Sequence, residues 1–231
     1  MFHIYQAIYI VVFIVALICY FHFEVLPNKK HRAINKIIMA SLFLIYAWEE
    51  YFRLAYPNYG DNLIYLICLA AITFSYIGDV VLLFSFKVGG IFFMVGNFTF
   101  SAFLIKYAVY QGLLFVNFWW FLLIYIAFLG TFFILAYTKF FYKMSKHAAT
   151  YIYMPSVTLH AAISIVLAIL IHNPFIILLS IGLTLFMISD FFIMINHYVM
   201  EKSKLCLRLN SGFYFIGLLI VSLSISYIAF I

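Results

Sequence analysis

Apolar runs long enough for a helix to cross a bilayer recur eight times along this chain, separated only by short loops. They fall near residues 4–23, 34–48, 63–84, 88–105, 114–137, 151–171, 175–195 and 212–230. A bilayer core is spanned by about 20 residues in helical form. Each run therefore reads as a transmembrane helix, the second being short and ending in the interface at Trp48-Glu49-Glu50. Composition agrees. Only 9% of residues are charged and 68% are hydrophobic, where a soluble chain carries roughly 25% charged residues. So few charges cannot cover a water-facing surface, so lipid must solvate it. The expected fold is an all-α integral membrane bundle of about eight transmembrane helices, a single domain over 1–231. The N-terminal run lacks a basic start and a small-residue cleavage site, and reads as a first transmembrane helix rather than a signal peptide.

The net charge of +6 suggests nucleic acid only until the basic residues are placed. Loops after odd-numbered spans hold Lys29, Lys30, Arg32, Lys36, Lys87, Lys139, Lys143, Lys146, Lys202, Lys204 and Arg208, whereas the opposite side holds Arg53 and Lys106. Such asymmetry orients a membrane protein with its basic side in the cytoplasm. Both termini are then expected outside, and no nucleic-acid partner is expected. The loop-poor build points to a multi-pass protein of the bacterial cell membrane. Three cysteines, Cys19 and Cys68 among them within spans, imply no disulfide framework. Ile77-Gly78-Asp79 is echoed by Ile188-Ser189-Asp190, 111 residues on. Because the third and seventh spans run in the same direction, the echo suggests tandem parallel halves, 1–112 and 113–231.

Five of the seven acidic residues, Glu24, Glu49, Glu50, Asp61 and Glu201, sit at span ends or in loops and are expected to meet water. Asp79 and Asp190 do not. Asp79 lies eight residues before Lys87, which is about 12 Å along a helix. Asp190 lies seven before His197, at a similar depth. A carboxylate at membrane depth costs at least ~2.5–3.5 kcal/mol on insertion scales, and such residues usually face a bundle interior or a wet cavity. A purely structural buried Asp explains one such residue more easily than two at matched depth.

Other polar side chains reach the same layer. Tyr153, Ser156, His160 and Ser164 recur on one face of the sixth span, Asn97 and Ser101 lie within the fourth, and Lys36 opens the second. These positions predict a polar pocket near the cytoplasmic leaflet, with Asp79 and Asp190 as reacting groups. Asn97, His160, Lys36, Tyr153, Ser156 and Ser189 are the candidate substrate contacts. For His160 and Asn97 taken singly, ordinary interhelical hydrogen bonding is the simpler reading. Gly89-Gly90 reads as a tight turn into the fourth span, and Gly96 as a point of close helix contact. No G-x-x-x-x-G-K-[ST], H-E-x-x-H or C-x-x-C occurs, and the histidines are scattered. Neither a metal nor another cofactor is expected.

With these residues in view, the chain resembles the YhhN-type lysoplasmalogenase family. The likeness rests on Ile77-Gly78-Asp79-Val80-Val81-Leu82-Leu83 followed by Phe86, Gly90 and Phe93, and on Gly182-Leu183-Thr184-Leu185-Phe186-Met187-Ile188-Ser189-Asp190. Span number and motif order agree over nearly the whole length. The chain departs from the family where Asn97-Phe98-Thr99-Phe100 replaces a His followed three residues on by Tyr, where Lys36-Ile37 replaces Lys-Pro, and near Gly217, where the family has Gln.

The resemblance implies hydrolysis of the vinyl ether bond of lysoplasmalogens, a lysophospholipid class, to a fatty aldehyde and a glycerophospho-head group. Paired carboxylates suit such chemistry, one acting as acid and its partner stabilising a cation and orienting water, as in glycoside hydrolysis. Two other readings use the same residues. A proton-coupled transporter also places carboxylates in the membrane, although Pro155 and Pro174, near span starts, supply no obvious helix break. A non-catalytic lipid-binding scaffold is the third.

Overall fold

The computed structural model describes residues 4–24, 29–55, 62–113, 119–136, 138, 148–200 and 203–228. The basic residues Lys139, Lys143, Lys146 and Lys202, with Asp61 and Glu201, lie outside the described residues.

Among the described residues there are eight α-helices and no strand. They are α1 (Ile4–Glu24), α2 (Lys29–Glu50), α3 (Asn62–Leu82), α4 (Phe86–Tyr110), α5 (Trp119–Ala136), α6 (Ala148–Ile171), α7 (Pro174–Tyr198) and α8 (Lys204–Ile225), with a π-helical turn, Tyr51–Ala55, continuing α2. Six of them (α1, α3, α4, α6, α7 and α8) are long and apolar enough to cross a membrane, and α5 supplies a shorter apolar run. The fold is an all-α membrane bundle.

The helices start where the sequence supplies a cap. Ser85 accepts from the Val88 amide at the start of α4, Ser203 from Cys206 at the start of α8, and Asn173 from Phe175 ahead of Pro174, which opens α7. Proline fits there because the first turn has spare N–H groups and no carbonyl to clash with. His172, with φ of 54°, takes the left-handed conformation that ends α6.

Packing closes six helices into a ring in the order α2, α3, α4, α6, α7, α8, with α8 returning to α2. The α3–α4 and α7–α8 pairs are the closest. Outside the ring, α1 lies against α2 and α8, and α5 against α6. Both outer helices expose apolar side chains all along their length, Ile8, Val15 and Ile18 on α1 and Leu123, Ile126 and Ile134 on α5, as lipid contact demands. Gly96 lets α4 approach the Ala71 carbonyl and Ser75 of α3, the close contact expected of it.

Several expectations change. The second span is not short: α2 begins at Lys29, because lysine and arginine stems can lie along a helix while their heads reach the interface. Likewise α8 begins at Lys204 rather than near 212. Gly89 and Gly90 lie inside α4, the turn being formed by residues 83–85, and Gly89 packs on the Leu82 backbone. Pro155, as expected, breaks nothing: it lies in the second turn of α6, and the helix continues through it. Glu50 does not meet water. It is fully buried, accepts from Tyr5 at 2.6 Å and pairs with Arg53 at 2.8 Å. Arg53 also lies 4.8 Å from the centre of the Tyr5 ring. A partner three residues along the same helical turn is what makes burial of that carboxylate tolerable.

Candidate active site

At the end of the ring where α3 and α7 finish and α2, α4, α6 and α8 begin, the helices enclose a cavity of about 830 Å³. Both Asp79 and Asp190 line it, and both are almost wholly buried, at 2% and 5% exposed. Asp79 comes from the last turn of α3, and Asp190 lies two turns before the end of α7.

The two carboxyl groups have different neighbours. Asp79 is paired with the Lys36 ammonium of α2 at 3.1 Å and accepts a hydrogen bond of 2.5 Å from the Tyr214 hydroxyl of α8. Asp190 accepts at 2.7 Å from the Tyr153 hydroxyl of α6, and no cation pairs with it among the described residues. Each acid thus has one phenol as donor, and one of them also has an ammonium. Hydrogen bonds to ionised groups are roughly twice as strong as neutral ones, so these contacts fix where the oxygens point.

Below the acids the ring is filled by aromatic side chains. Phe93 (α4), Phe186 (α7) and Tyr214 lie with centroids 5.3–6.1 Å apart. A Cβ on Gly78 would stand 2.9 Å from the Phe93 ring, so the residue beside Asp79 must be glycine for that ring to lie flat against α3. Apolar side chains complete the wall. Ile91 of α4 and Ile152 of α6 line the cavity while remaining 54% and 59% exposed on the flank of the bundle. Both lie within two turns of their helix starts, so an exposed apolar part of the wall adjoins the open end.

The candidate contacts divide into two groups. Lys36 and Tyr153 line the cavity with the acids. Asn97, Ser156, His160 and Ser189 do not; they form the layer behind its wall. Asn97 donates to Ser156 at 3.4 Å and stands within hydrogen-bonding reach of Tyr153. The His160 Nδ1 meets the Ser156 carbonyl, while its Nε2 and the Asn97 Oδ1 have no hydrogen-bond partner among the described residues. Ser189 accepts from Asn210 of α8 at its carbonyl (2.9 Å) and hydroxyl (3.1 Å). That clamp fixes α7 beside Asp190. Helical periodicity puts residues 156 and 160 one and two turns beyond Tyr153, deeper than the cavity reaches on that helix.

Tyr214, Asn210 and Ser211 are site residues that the sequence reading missed, and Leu207, Asn210, Ser211, Tyr214 and Phe215 all face the cavity. Their spacing is one face of a helix, visible once α8 is allowed to begin before residue 212. Among the described residues, no cluster of three or more His, Cys, Asp or Glu is placed to hold a metal ion.

Residues 31–225 match the sequence profile of the YhhN family. The chain belongs to the YhhN family. No curated protein and no solved structure matches it. The matched segment takes in the whole six-helix ring apart from the first two residues of α2, and leaves out α1. Both sequence blocks that resemble YhhN members fall within it, and each carries a cavity carboxylate, Asp79 or Asp190, after a glycine at a helix contact, Gly78 or Gly182.

Proposed function

We propose that this YhhN-family protein is a membrane-embedded hydrolase that cleaves the vinyl ether bond of lysoplasmalogens. The observation that carries the reading is that two buried carboxyl groups, each held by a phenol, share one cavity whose wall includes the exposed apolar side chains Ile91 and Ile152. A single-chain lipid reaches such a site from the bilayer without leaving it, its chain lying along Ile91, Met94 and Ile152.

Cleavage needs a proton delivered to the alkenyl carbon remote from the ether oxygen, which leaves an oxocarbenium ion at its neighbour. Water then adds to that neighbour and gives up a proton. The resulting hemiacetal collapses, the C–O bond to glycerol breaking as the glycerol oxygen takes a proton, and aldehyde and alcohol result. Asp79, in ion pair with Lys36, serves as the ionised partner that faces the cation and receives the proton from water. Asp190, beside a hydroxyl and, among the described residues, no cation, is the proton-transferring member. Arranging the two groups around one bound chain reproduces the division of labour between carboxylates in glycoside hydrolysis.

The test is aldehyde release from an alkenyl lysophospholipid by purified Asp79→Asn and Asp190→Asn proteins, with folding checked by thermal unfolding. Both variants are expected to be folded and inactive. Undiminished aldehyde release by both removes the assignment, and turnover of acyl but not alkenyl lysolipids by the unaltered protein removes the reaction.

A further inference from the structure

Among the described residues, three basic side chains line the cavity, and only Lys36 has an acid for a partner. Arg32 of α2 and Lys87 of α4 also line it, and neither makes an ion pair among the described residues. Both sit towards the open end of the cavity: Arg32 is one turn before Lys36, and Lys87 is in the first turn of α4. Deeper in, the charges are the Lys36–Asp79 pair and Asp190. Among the described residues the cavity is therefore sorted by charge along its length, with acids inside and two cations without an acid partner towards the mouth.

We infer that Arg32 and Lys87 form a phosphate subsite that selects phospholipids over neutral single-chain lipids. The inference rests on the proposed hydrolase reading for the identity of the bond cleaved, though not for the binding itself. Spacing supports it. Arg32 and Lys36 are four residues apart on one helix, a rise of about 6 Å. In a lysophospholipid, five single bonds separate the sn-1 ether oxygen from phosphorus, and at about 1.5 Å per bond an extended path of that length covers about 6 Å. A vinyl ether held beside the Lys36–Asp79 pair thus places its phosphate level with Arg32, whose planar guanidinium matches two phosphate oxygens at once. Lys87 meets the same group from the facing helix as a point charge.

The experiment measures binding, using a saturated 1-O-alkyl lysophospholipid that has no vinyl ether to cleave, against 1-O-alkylglycerol of the same chain. Both are titrated into the full-length protein in neutral-lipid nanodiscs, for the unaltered chain and for Arg32→Gln, Lys87→Gln and the double variant. Loss of about tenfold or more in phospholipid affinity in the double variant, with alkylglycerol affinity unchanged, is expected from losing two charge-assisted contacts. Equal affinity for the two lipids in the unaltered protein overturns the inference. So does a double variant that loses both ligands equally, because the cations then hold the mouth in shape and read no phosphate. Competition by glycerol phosphate and by inorganic phosphate separates a head-group site, displaced best by the former, from a general anion site, which would overturn it. Specific phospholipid binding without aldehyde release from the alkenyl lipid leaves the subsite standing and ends the hydrolase reading.

Discussion

Gly182 of α7 and Gly217 of α8 meet backbone to backbone: a Cβ on either would stand 2.8 Å from the carbonyl oxygen of the other. Neither helix can yield without shifting Asp190 or Tyr214. Gly217→Ala is therefore expected to destabilise the protein by ~1–3 kcal/mol, the usual range for overpacking, and to lower turnover. Gly130→Ala in α5, with open space around its Cβ, is the control and leaves the unfolding temperature unchanged or raised. Thermal unfolding of the two variants side by side checks this.

Removing the ammonium from the Lys36–Asp79 pair leaves a buried carboxylate alone. Lys36→Met is expected to cost up to ~3–5 kcal/mol, the range for breaking a buried pair, with Lys36 a fifth exposed placing it towards the lower end. Adding Asp79→Asn restores much of that stability, since no unpaired charge remains, but restores no activity. Denaturation midpoints for the two singles and the double form the test. Simple additivity would show that the pair is not coupled.

Each phenol donates one hydrogen bond to an acid. Tyr153→Phe and Tyr214→Phe each remove a hydroxyl and nothing else, at a cost of ~1.5–3 kcal/mol where the acid is ionised, as proposed for Asp79 beside Tyr214 and for Asp190 once its proton has left. Where that loss falls on the transition state it lowers kcat by about 10- to 150-fold. Steady-state aldehyde production is the measurement, and a change confined to KM counts against the role assigned here.

The layer behind the wall should behave differently. His160→Leu removes a ring whose Nε2 already lacks a partner, so turnover is expected to persist, because replacing an unsatisfied buried group by an apolar one is often near neutral. Collapse of activity in a folded His160→Leu protein would put the histidine back among the groups that act on the lipid.

At the opposite end of α2, Glu50→Gln keeps the shape and the Tyr5 contact but loses the charge facing Arg53. Unfolding is expected ~1–3 kcal/mol easier, with unchanged turnover, since residue 50 lies about 21 Å along the helix from Lys36. Melting curves and aldehyde assays on the same preparation decide it.

The spans and the two acids were legible in the sequence for the same reason: in a chain this apolar, periodic runs mark helices and a carboxylate inside one is conspicuous. What stayed hidden needed a second helix to reveal it. Glu50 looks solvent-exposed until α1 brings Tyr5 over it. Tyr214 is one of 19 tyrosines and is distinguished only by the Asp79 that α3 presents. Ser156 and His160 share a helical face with Tyr153, but the sequence does not say how far along that face the cavity extends. Basic residues at the start of α2 and α8 concealed the true helix starts, because hydropathy weighs the charged head and ignores the stem.

The cavity pairs an oily wall at Ile91 and Ile152 with Arg32 and Lys87 towards its open end, two surfaces of opposite character. An amphiphile cut at the junction of its halves becomes two molecules with different destinations, a greasy one that dissolves in the surrounding bilayer and a charged one that diffuses into water. Under the proposed reading, neither product would stay where it formed. On the proposed hydrolase reading the two products would leave unaided, and turnover would be limited by how fast fresh lipid slides in rather than by what must be cleared out.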